Sequence, residues 1–373
     1  MKKYLIPAAL FSAVLFSMIS CNFSFAGQSE KDAFTLSASF NSGNGLYFQD
    51  DTFESSSLSI QVKYPDENTK TVTECKISGF DSSTVGISKQ LSVSYTEGDF
   101  TKEIKVPYYV AAKDAKPSEE LKRLDGYEGS VSSGTYYEFG QYPQTVSSLA
   151  DNSYSPVPLY KGYYLGSDGY FYKKAEENAY SKGYKYSNGE SVNLKSNHSQ
   201  KFFKVEPLVW RALSDDYNGK GTLLLAEKIV NSCRFSSEDK ETHFSESLAR
   251  DFLNNDFKAE AFTTNSSNLL ETIRIDDADN KVFLTTTEEL PGINYQANED
   301  YVRRPSDYAL ANHLDVTPVS GSEGGIWWLR KYGAYQEGAH RIWCVDKDGK
   351  SGITEITNYQ IGLVPAIVIN IYN

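Results

Sequence analysis

The chain has 373 residues, which is more than a single hydrophobic core usually serves, so two domains with a leader and a linker are expected. Its 27 Tyr and 20 Phe residues, beside only 2 Met, favour short strands and turns over long helices. The formal net charge of -12, with no cluster of Lys and Arg, argues against a nucleic-acid partner.

The first twenty residues have the layout of a bacterial signal peptide. Lys2 and Lys3 supply a positively charged start, and an apolar stretch over 5–19 follows. That stretch is too short for a membrane-spanning helix, which needs about 20 apolar residues. The sequence therefore predicts a signal peptide over 1–20.

The segment SMISC at 17–21 is similar to the lipoprotein box, whose cysteine becomes the lipidated first residue of the mature chain. The resemblance implies lipid attachment at Cys21, a lipidated tether over 21–32, and a membrane-anchored or surface location in the bacterial cell envelope. Cleavage after Ala26 would instead release a secreted protein, and this alternative stays open.

Three cysteines remain once Cys21 is set aside, so at most one disulfide can form among Cys75, Cys233 and Cys344. Cys233 with Cys344 is the conceivable pair because both lie in the same half of the chain. Buried free thiols are the alternative, and we favour it. No Cys or His spacing indicates a metal site, and the sequence predicts no cofactor.

Strands at regular spacing over 33–112 predict an antiparallel β-sandwich. The stretch 58–64 alternates apolar and polar residues, 65–68 is a turn, and 70–73 resumes a strand, which together indicate a hairpin. The turn at 96–99 joins two further strands in the same way.

This region resembles the bacterial immunoglobulin-like domains of surface proteins. The resemblance rests on four segments in order: LSIQVKY at 58–64, GFDSSTVG at 79–86, LSVSY at 91–95 and IKV at 104–106. It implies an immunoglobulin-like fold that serves as a spacer or, in some cases, as an adhesin. A charged, Ser-rich stretch over 113–134 follows and predicts a linker, with one helical turn at 118–124.

The remaining residues, 135–373, predict an α+β domain. Together with the β-sandwich predicted over 33–112, this domain makes the whole chain mostly β. An Asp-Gly step at 168–169 indicates a turn between two tyrosine-rich strands. The pattern over 247–257 predicts a helix capped by Ser245 or Ser247, with Leu248, Phe252 and Leu253 on one face. The other predicted elements are strands at 202–213, 221–230, 281–284, 326–330, 341–346 and 363–370, and a short helix at 269–273.

This second region is similar to a domain of unknown function found in bacterial lipoproteins and secreted proteins. The matching segments, in order, are FGQYPQ at 139–144, VEPLVWRAL at 205–213, LLLAEKI at 223–229, SLARDFLN at 247–254, DNKVFL at 279–284, RPSDYA at 304–309, WWLR at 327–330 and GLVPA at 362–366. Two positions depart from the family pattern: Val364 stands where the family has Arg, and Lys331 where it has Ser. The closing strands are similar to those of C-type-lectin-like and formylglycine-generating-enzyme-like domains, which is an analogy of fold alone.

Charged residues embedded among aromatic ones are the candidate site residues, because a buried charge must be paired. They are Glu206, Trp210, Arg211, Arg304, Asp307, Trp327, Trp328 and Arg330. They form either a ligand site or a salt-bridged polar cluster in the core, and the core interpretation is the simpler one.

The sequence shows no nucleophile elbow and no paired metal ligands, so we predict a protein that is not an enzyme. The predicted function is a ligand-binding or adhesion module for a carbohydrate or a protein, displayed on an immunoglobulin-like spacer. A structural envelope protein without a small ligand is the alternative. A formylglycine-generating-enzyme-like oxidase using Cys233 and Cys344 is the third.

Overall fold

The computed structural model describes residues 34–180, 183–315 and 324–371. The predicted signal peptide, the lipidation site at Cys21 and the tether lie outside these residues. Within them, no helix combines the length and the apolar character needed to cross a membrane. The described chain is rich in β-structure.

Two sheets that share one core make up the first region. Its strands are β1 (Thr35–Phe40), β2 (Leu46–Phe48), β3 (Leu58–Lys63), β4 (Thr69–Thr71), β5 (Lys76–Ser78), β6 (Gly86–Glu97) and β7 (Phe100–Ala111). One sheet has the order β1-β3-β4 and the other the order β2-β7-β6-β5. The pairing is antiparallel except between β2 and β7, which run parallel.

Alternation along the strands explains why the two sheets face each other. Leu58, Ile60 and Val62 of β3 are buried and meet Leu91 and Val93 of β6 in the shared core, while the residues between them point outward. The predicted hairpins are both present, since β3 pairs with β4 and β6 with β7.

The segment predicted as a linker packs against the second region. It begins with a 3-10 turn at Lys113–Ala115, and β8 (Lys122–Arg123) then pairs with the strand that opens the second region. The predicted helical turn at 118–124 is wrong, because Lys122 and Arg123 take a strand conformation to form this pairing.

The second region is built from two larger sheets and one small one. Its strands are β9 (Tyr136–Val146), β10 (Tyr164–Leu165), β11 (Phe171–Glu176), β12 (Gln200–Ser214), β13 (Thr222–Ala226), β14 (Asn231–Ser232), β15 (Ile273–Ile275), β16 (Ala278–Asn280), β17 (Trp327–Gln336), β18 (Ala339–Val345), β19 (Ser351–Glu355), β20 (Gly362–Leu363) and β21 (Ala366–Ile369). The α-helices are α1 (Leu248–Phe252), α2 (Lys258–Ala261), α3 (Thr264–Asn268) and α4 (Asp307–Ala311), and a π-helix at Leu253–Phe257 joins α1 to α2. Short 3-10 turns lie at Lys195–Asn197, Phe244–Glu246, Thr287–Glu289 and Glu299–Tyr301, and the first region has one at Ser55–Ser57.

The long strand β12 organises the main sheet. It pairs with β9, β11 and β13, all antiparallel, and β13 in turn pairs with β21 near the end of the chain. The second sheet has the order β14-β20-β17-β18-β19, and β15 pairs with β16. One apolar core fills the space between these sheets and the helices.

The predicted helix at 247–257 is present, but Leu248 does not share a buried face with Leu253 as expected. Of the two predicted caps, Ser247 is the one that accepts a hydrogen bond from the Arg250 amide. Leu253 is fully buried, whereas Leu248 in the first turn is 41% exposed. The π-helix widens the turn after α1 and changes the face that a regular helix would present.

Two other local predictions are wrong. The helix expected at 269–273 lies earlier, at Thr264–Asn268, because the Thr263 hydroxyl and Ser266 cap it reciprocally. The expected strand at 281–284 belongs to no sheet among the described residues, and only Phe283 bridges to β21. The side chain of Asn254 accepts hydrogen bonds from the amides of Lys281 and Val282, which replaces a strand neighbour there.

An apolar interface joins the two regions. The turn between β10 and β11 carries Gly169, whose carbonyl accepts a 2.8 Å hydrogen bond from the Ala112 amide. Gly169 has φ of +86°, and a Cβ there would lie 2.5 Å from the Val85 Cγ1 atom, so this contact requires glycine. Phe48 packs edge-on against Phe171, with ring centroids 6.3 Å apart.

Candidate functional site

The three candidate tryptophans lie in the core of the second region. Trp210, Trp327 and Trp328 are each fully buried. Their indole N–H groups donate to the carbonyls of Phe139, Tyr301 and Cys233 respectively. Each ring is therefore fixed by packing and by one backbone acceptor, and no face is available for stacking on a ligand.

Two of the candidate charged residues are held in place by neighbouring protein groups. Asp307 is buried and accepts hydrogen bonds from the Val146 amide and from the amide and hydroxyl of Ser187. Glu206 is half-buried and accepts from the Thr145 hydroxyl at 2.6 Å. Asp307 thus fixes the end of β9 and the loop at Ser187 to α4, and Glu206 supports the pairing of β12 with β9.

Arg330 forms a bidentate ion pair with Glu289. Its two terminal nitrogens lie 2.5 Å from the two carboxylate oxygens, and one of them also donates to the Leu284 carbonyl. Both side chains are only 13% exposed. Burial acts to lower the pKa of Arg330, but the Glu289 pair outweighs it, so the pKa is raised.

Arg211 is also buried, with its guanidinium 5.1 Å from the centre of the Tyr301 ring, whereas Arg304 is exposed. The structure brings Arg211 and Trp327 together around Tyr301. The other predicted residues have separate partners, so the eight do not form a single site.

A cleft of about 480 Å³ lies elsewhere in the second region, and the sequence did not indicate it. Its lining residues come from β9, β11, β14, the helical segment 248–261, α4 and the turn before β10. They are Tyr142, Lys161, Lys173, Asn231, Phe252, Asp256, Ala259, Glu260 and Tyr308.

Two lysines and a carboxylate give the cleft its polar wall. The Lys173 ammonium lies 2.8 Å from a carboxylate oxygen of Glu260 in a partly buried ion pair. The Lys161 ammonium donates to the carbonyls of Ala259, Glu260 and Phe262, where a cation stabilises the end of helix α2. Lys161 and Gly162 both take left-handed backbone conformations, which make the tight turn that directs Lys161 to this point.

Three tyrosines support that wall from within. Tyr142 and Tyr308 line the cleft, with ring centroids 5.7 Å apart in an edge-to-face arrangement. Burial raises the pKa of Tyr142 well above its usual range and that of Tyr308 to about 12. Burial and then the adjacent Glu260 carboxylate also raise the pKa of Tyr163. All three therefore stay protonated at neutral pH and can act as neutral hydrogen-bonding groups.

The hydroxyl of Tyr163 is distinctive because it is fully buried and has no hydrogen-bond partner within the described chain. Its ring lies beneath the Lys173 ammonium, 5.7 Å from ring centre to nitrogen. The Tyr163 hydroxyl lies behind the cleft lining, so Tyr163 supports the Lys173–Glu260 pair from within and does not face the cleft.

Cys233 and Cys344 are free thiols. Burial raises the pKa of each to about 12, so both are uncharged at neutral pH and are poor nucleophiles. Within the described residues, no group of three or more His, Cys, Asp or Glu side chains is arranged to hold a metal ion.

In a comparison with known proteins, one family matches part of the chain. Residues 219–371 match a domain of unknown function (DUF6273). The matched DUF6273 segment supplies Asn231, Phe252, Glu260 and Tyr308 to the cleft, while Tyr142 and the two lysines precede it. No curated protein and no solved structure matches the chain.

Proposed function

We propose that this protein is a lipid-anchored protein of the bacterial cell envelope whose second domain binds a neutral polar ligand, a carbohydrate, without catalysing a reaction. In this proposal, lipid at Cys21 anchors the chain to a membrane, and an immunoglobulin-like first domain holds the binding domain away from it. The observation that carries the proposal is the cleft around the Lys173–Glu260 pair.

The chemistry of the cleft favours a neutral ligand rich in hydroxyl groups. Two cationic side chains, Lys161 and Lys173, are balanced by two anionic ones, Asp256 and Glu260, so neither an anion nor a cation is preferred overall. The carboxylate and amide groups of the lining supply acceptors and donors of the kind that sugar hydroxyls bind. The rings of Phe252 and Tyr308 supply the apolar surface that a sugar ring contacts.

Glycan-array binding of the protein without its leader tests the proposal. Lys173→Met and Glu260→Gln should each weaken binding about tenfold or more, because each removes a charged group with which the cleft would hydrogen-bond the ligand. Lys201→Met is the matched control, since Lys201 pairs with Glu190 at 2.6 Å outside the cleft lining. Equal effects of Lys173→Met and Lys201→Met would contradict the assignment of the cleft.

Detergent-phase partition tests the anchor separately. The unaltered protein should partition into the detergent phase, whereas the Cys21→Ala variant should partition into the aqueous phase. A Cys21→Ala variant that stays in the detergent phase would exclude lipidation at this residue.

A structural envelope protein without a small ligand is the second candidate. The sealing of Trp210, Trp327 and Trp328 in the core favours it, as does the apolar interface that joins the two regions. A glycan array and an extracellular-matrix binding panel that both return nothing would favour this candidate over the binding module.

A further inference from the structure

Two buried arginines lie side by side at a distance from the cleft lining. Arg303 is fully buried and Arg211 is 4% exposed. Each donates a hydrogen bond of 2.9 Å to the same acceptor, the carbonyl oxygen of Asp300. Because one oxygen serves both groups, the two guanidinium groups are neighbours.

The hydrogen bonds of Arg303 are concentrated on one nitrogen. Its Nη1 donates to the Ser130 hydroxyl at 3.1 Å and to the carbonyls of Asp300 and Val302. Its Nε and Nη2, which form the side edge of the guanidinium fork, have no acceptor within the part of the chain that the structure describes, and the same is true of Arg211 Nε. The side edge is the one that grips an anion with two parallel N–H groups.

The charge at this point is also unbalanced. Neither arginine forms an ion pair with a carboxylate of the described residues. Glu227 is the carboxylate whose field acts on Arg303, but its oxygens accept hydrogen bonds from the amide and hydroxyl of Ser130. Burial and then the positive charge of Arg211 lower the pKa of Arg303 to about 10. A buried guanidinium with this surplus charge costs free energy unless an anion compensates it.

We propose that the side edge of Arg303, together with Arg211 Nε, binds a small inorganic anion of halide size. The enclosure explains the size: buried Tyr136 and Tyr301 lie beside Arg303, the Tyr301 ring also faces Arg211, and the segment around Ser130 lies across Arg303. A monatomic anion accepts N–H groups from several directions and needs no further donors, whereas an oxyanion leaves oxygens that require their own partners. The site stabilises the fold where β12, the 3-10 turn at Glu299–Tyr301 and the segment leading to β9 meet.

The test is the dependence of thermal unfolding on the anion, measured on the full chain in sodium chloride and in sodium gluconate of equal ionic strength. Chloride binding to the folded state should raise the unfolding midpoint by about 2–4 °C for each tenfold rise in chloride above its dissociation constant. Arg303→Met should abolish the difference between the two salts. Arg274→Gln, which removes an exposed arginine paired only with surface aspartates, should preserve it.

Diffraction from crystals grown in bromide gives a direct readout that needs no variant. An anomalous bromide peak within contact distance of Arg303 Nε and Nη2 is the expected result. Equal midpoints in the two salts, a difference that Arg303→Met retains, or no bromide peak beside these atoms would each overturn the proposal. In the last case, water would be the group that satisfies the three N–H donors.

Discussion

The Arg330–Glu289 pair allows a sharp test of how much a buried ion pair contributes in this fold. Next to it in the sequence, Lys331 pairs with Glu288, and those side chains are 52% and 59% exposed. The same strand therefore carries a buried pair and an exposed pair at adjacent positions. Arg330→Met and Lys331→Met remove one cation each and keep a similar side-chain length.

The expected costs differ because the groups left behind differ. Arg330→Met leaves the Glu289 carboxylate, 13% exposed, with the Tyr217 hydroxyl and the Thr286 amide as its donors from the described residues. Removing one partner of a buried pair costs about 3–5 kcal/mol, whereas an exposed pair contributes about 0–1 kcal/mol. A domain is stable by only about 5–15 kcal/mol, so Arg330→Met should remove a large part of it.

Urea unfolding followed by tryptophan fluorescence measures both variants against the unaltered chain. The midpoint should fall clearly for Arg330→Met and by little for Lys331→Met. Adding Glu289→Gln to Arg330→Met should recover part of the loss, because a neutral amide is cheaper to bury than a carboxylate. Equal shifts for the two single variants, or no recovery in the double variant, would refute the reasoning.

Four further predictions follow from burial, capping and backbone geometry. Trp210→Ala should cost about 3–5 kcal/mol in urea unfolding and Trp343→Ala less, because Trp210 is fully buried and Trp343 only half-buried. Ser247→Ala should cost about 1 kcal/mol in the same assay by removing the cap of α1, and a Ser247→Thr variant, which keeps the hydroxyl, that costs as much would contradict the capping role. Burial, and then Asp346, raise the pKa of Cys344 from 9.0 to about 12. The unfolded thiol therefore ionises first, and the stability of the unaltered chain relative to Cys344→Ala should fall as pH rises from about 9 towards 12, which urea unfolding at about pH 8 and about pH 10 checks. Gly169→Ala should loosen the interface between the two regions at a cost of about 1–3 kcal/mol, seen as faster proteolysis between them, since its φ is +86° and a Cβ would meet Val85.

Local patterns predicted the elements that local forces determine. Alternation over 58–64 predicted β3 because the strand has one buried face, and Ser247 predicted the start of α1 because its cap is local. The prediction of a strand at 281–284 was wrong because the groups that bond this segment are distant in sequence. The amides of Lys281 and Val282 donate to the side chain of Asn254, nearly thirty residues earlier, and no pattern within the segment contains that information.

The cleft was missed because its chemistry is assembled from distant parts of the chain. Lys173 has its partner at Glu260, on the helical segment that ends with α2, and neither residue stands out in its own stretch of sequence. Tyr142, Phe252 and Tyr308 do lie in segments that carry the resemblance to a domain of unknown function. The sequence therefore indicated parts of the cleft as family motifs, while the prominent Trp and Arg residues directed attention to the core.

The hairpin of β10 and β11 connects the two proposed roles of the molecule. At its turn, Gly169 and Phe171 fix it to the first region, and two residues further along β11, Lys173 reaches Glu260 in the cleft. In a strand, residues two apart lie on the same side, about 7 Å from each other. The first region is therefore connected to the cleft wall by a short, hydrogen-bonded hairpin. In the proposed lipid-anchored module, this connection would set the direction in which the cleft faces.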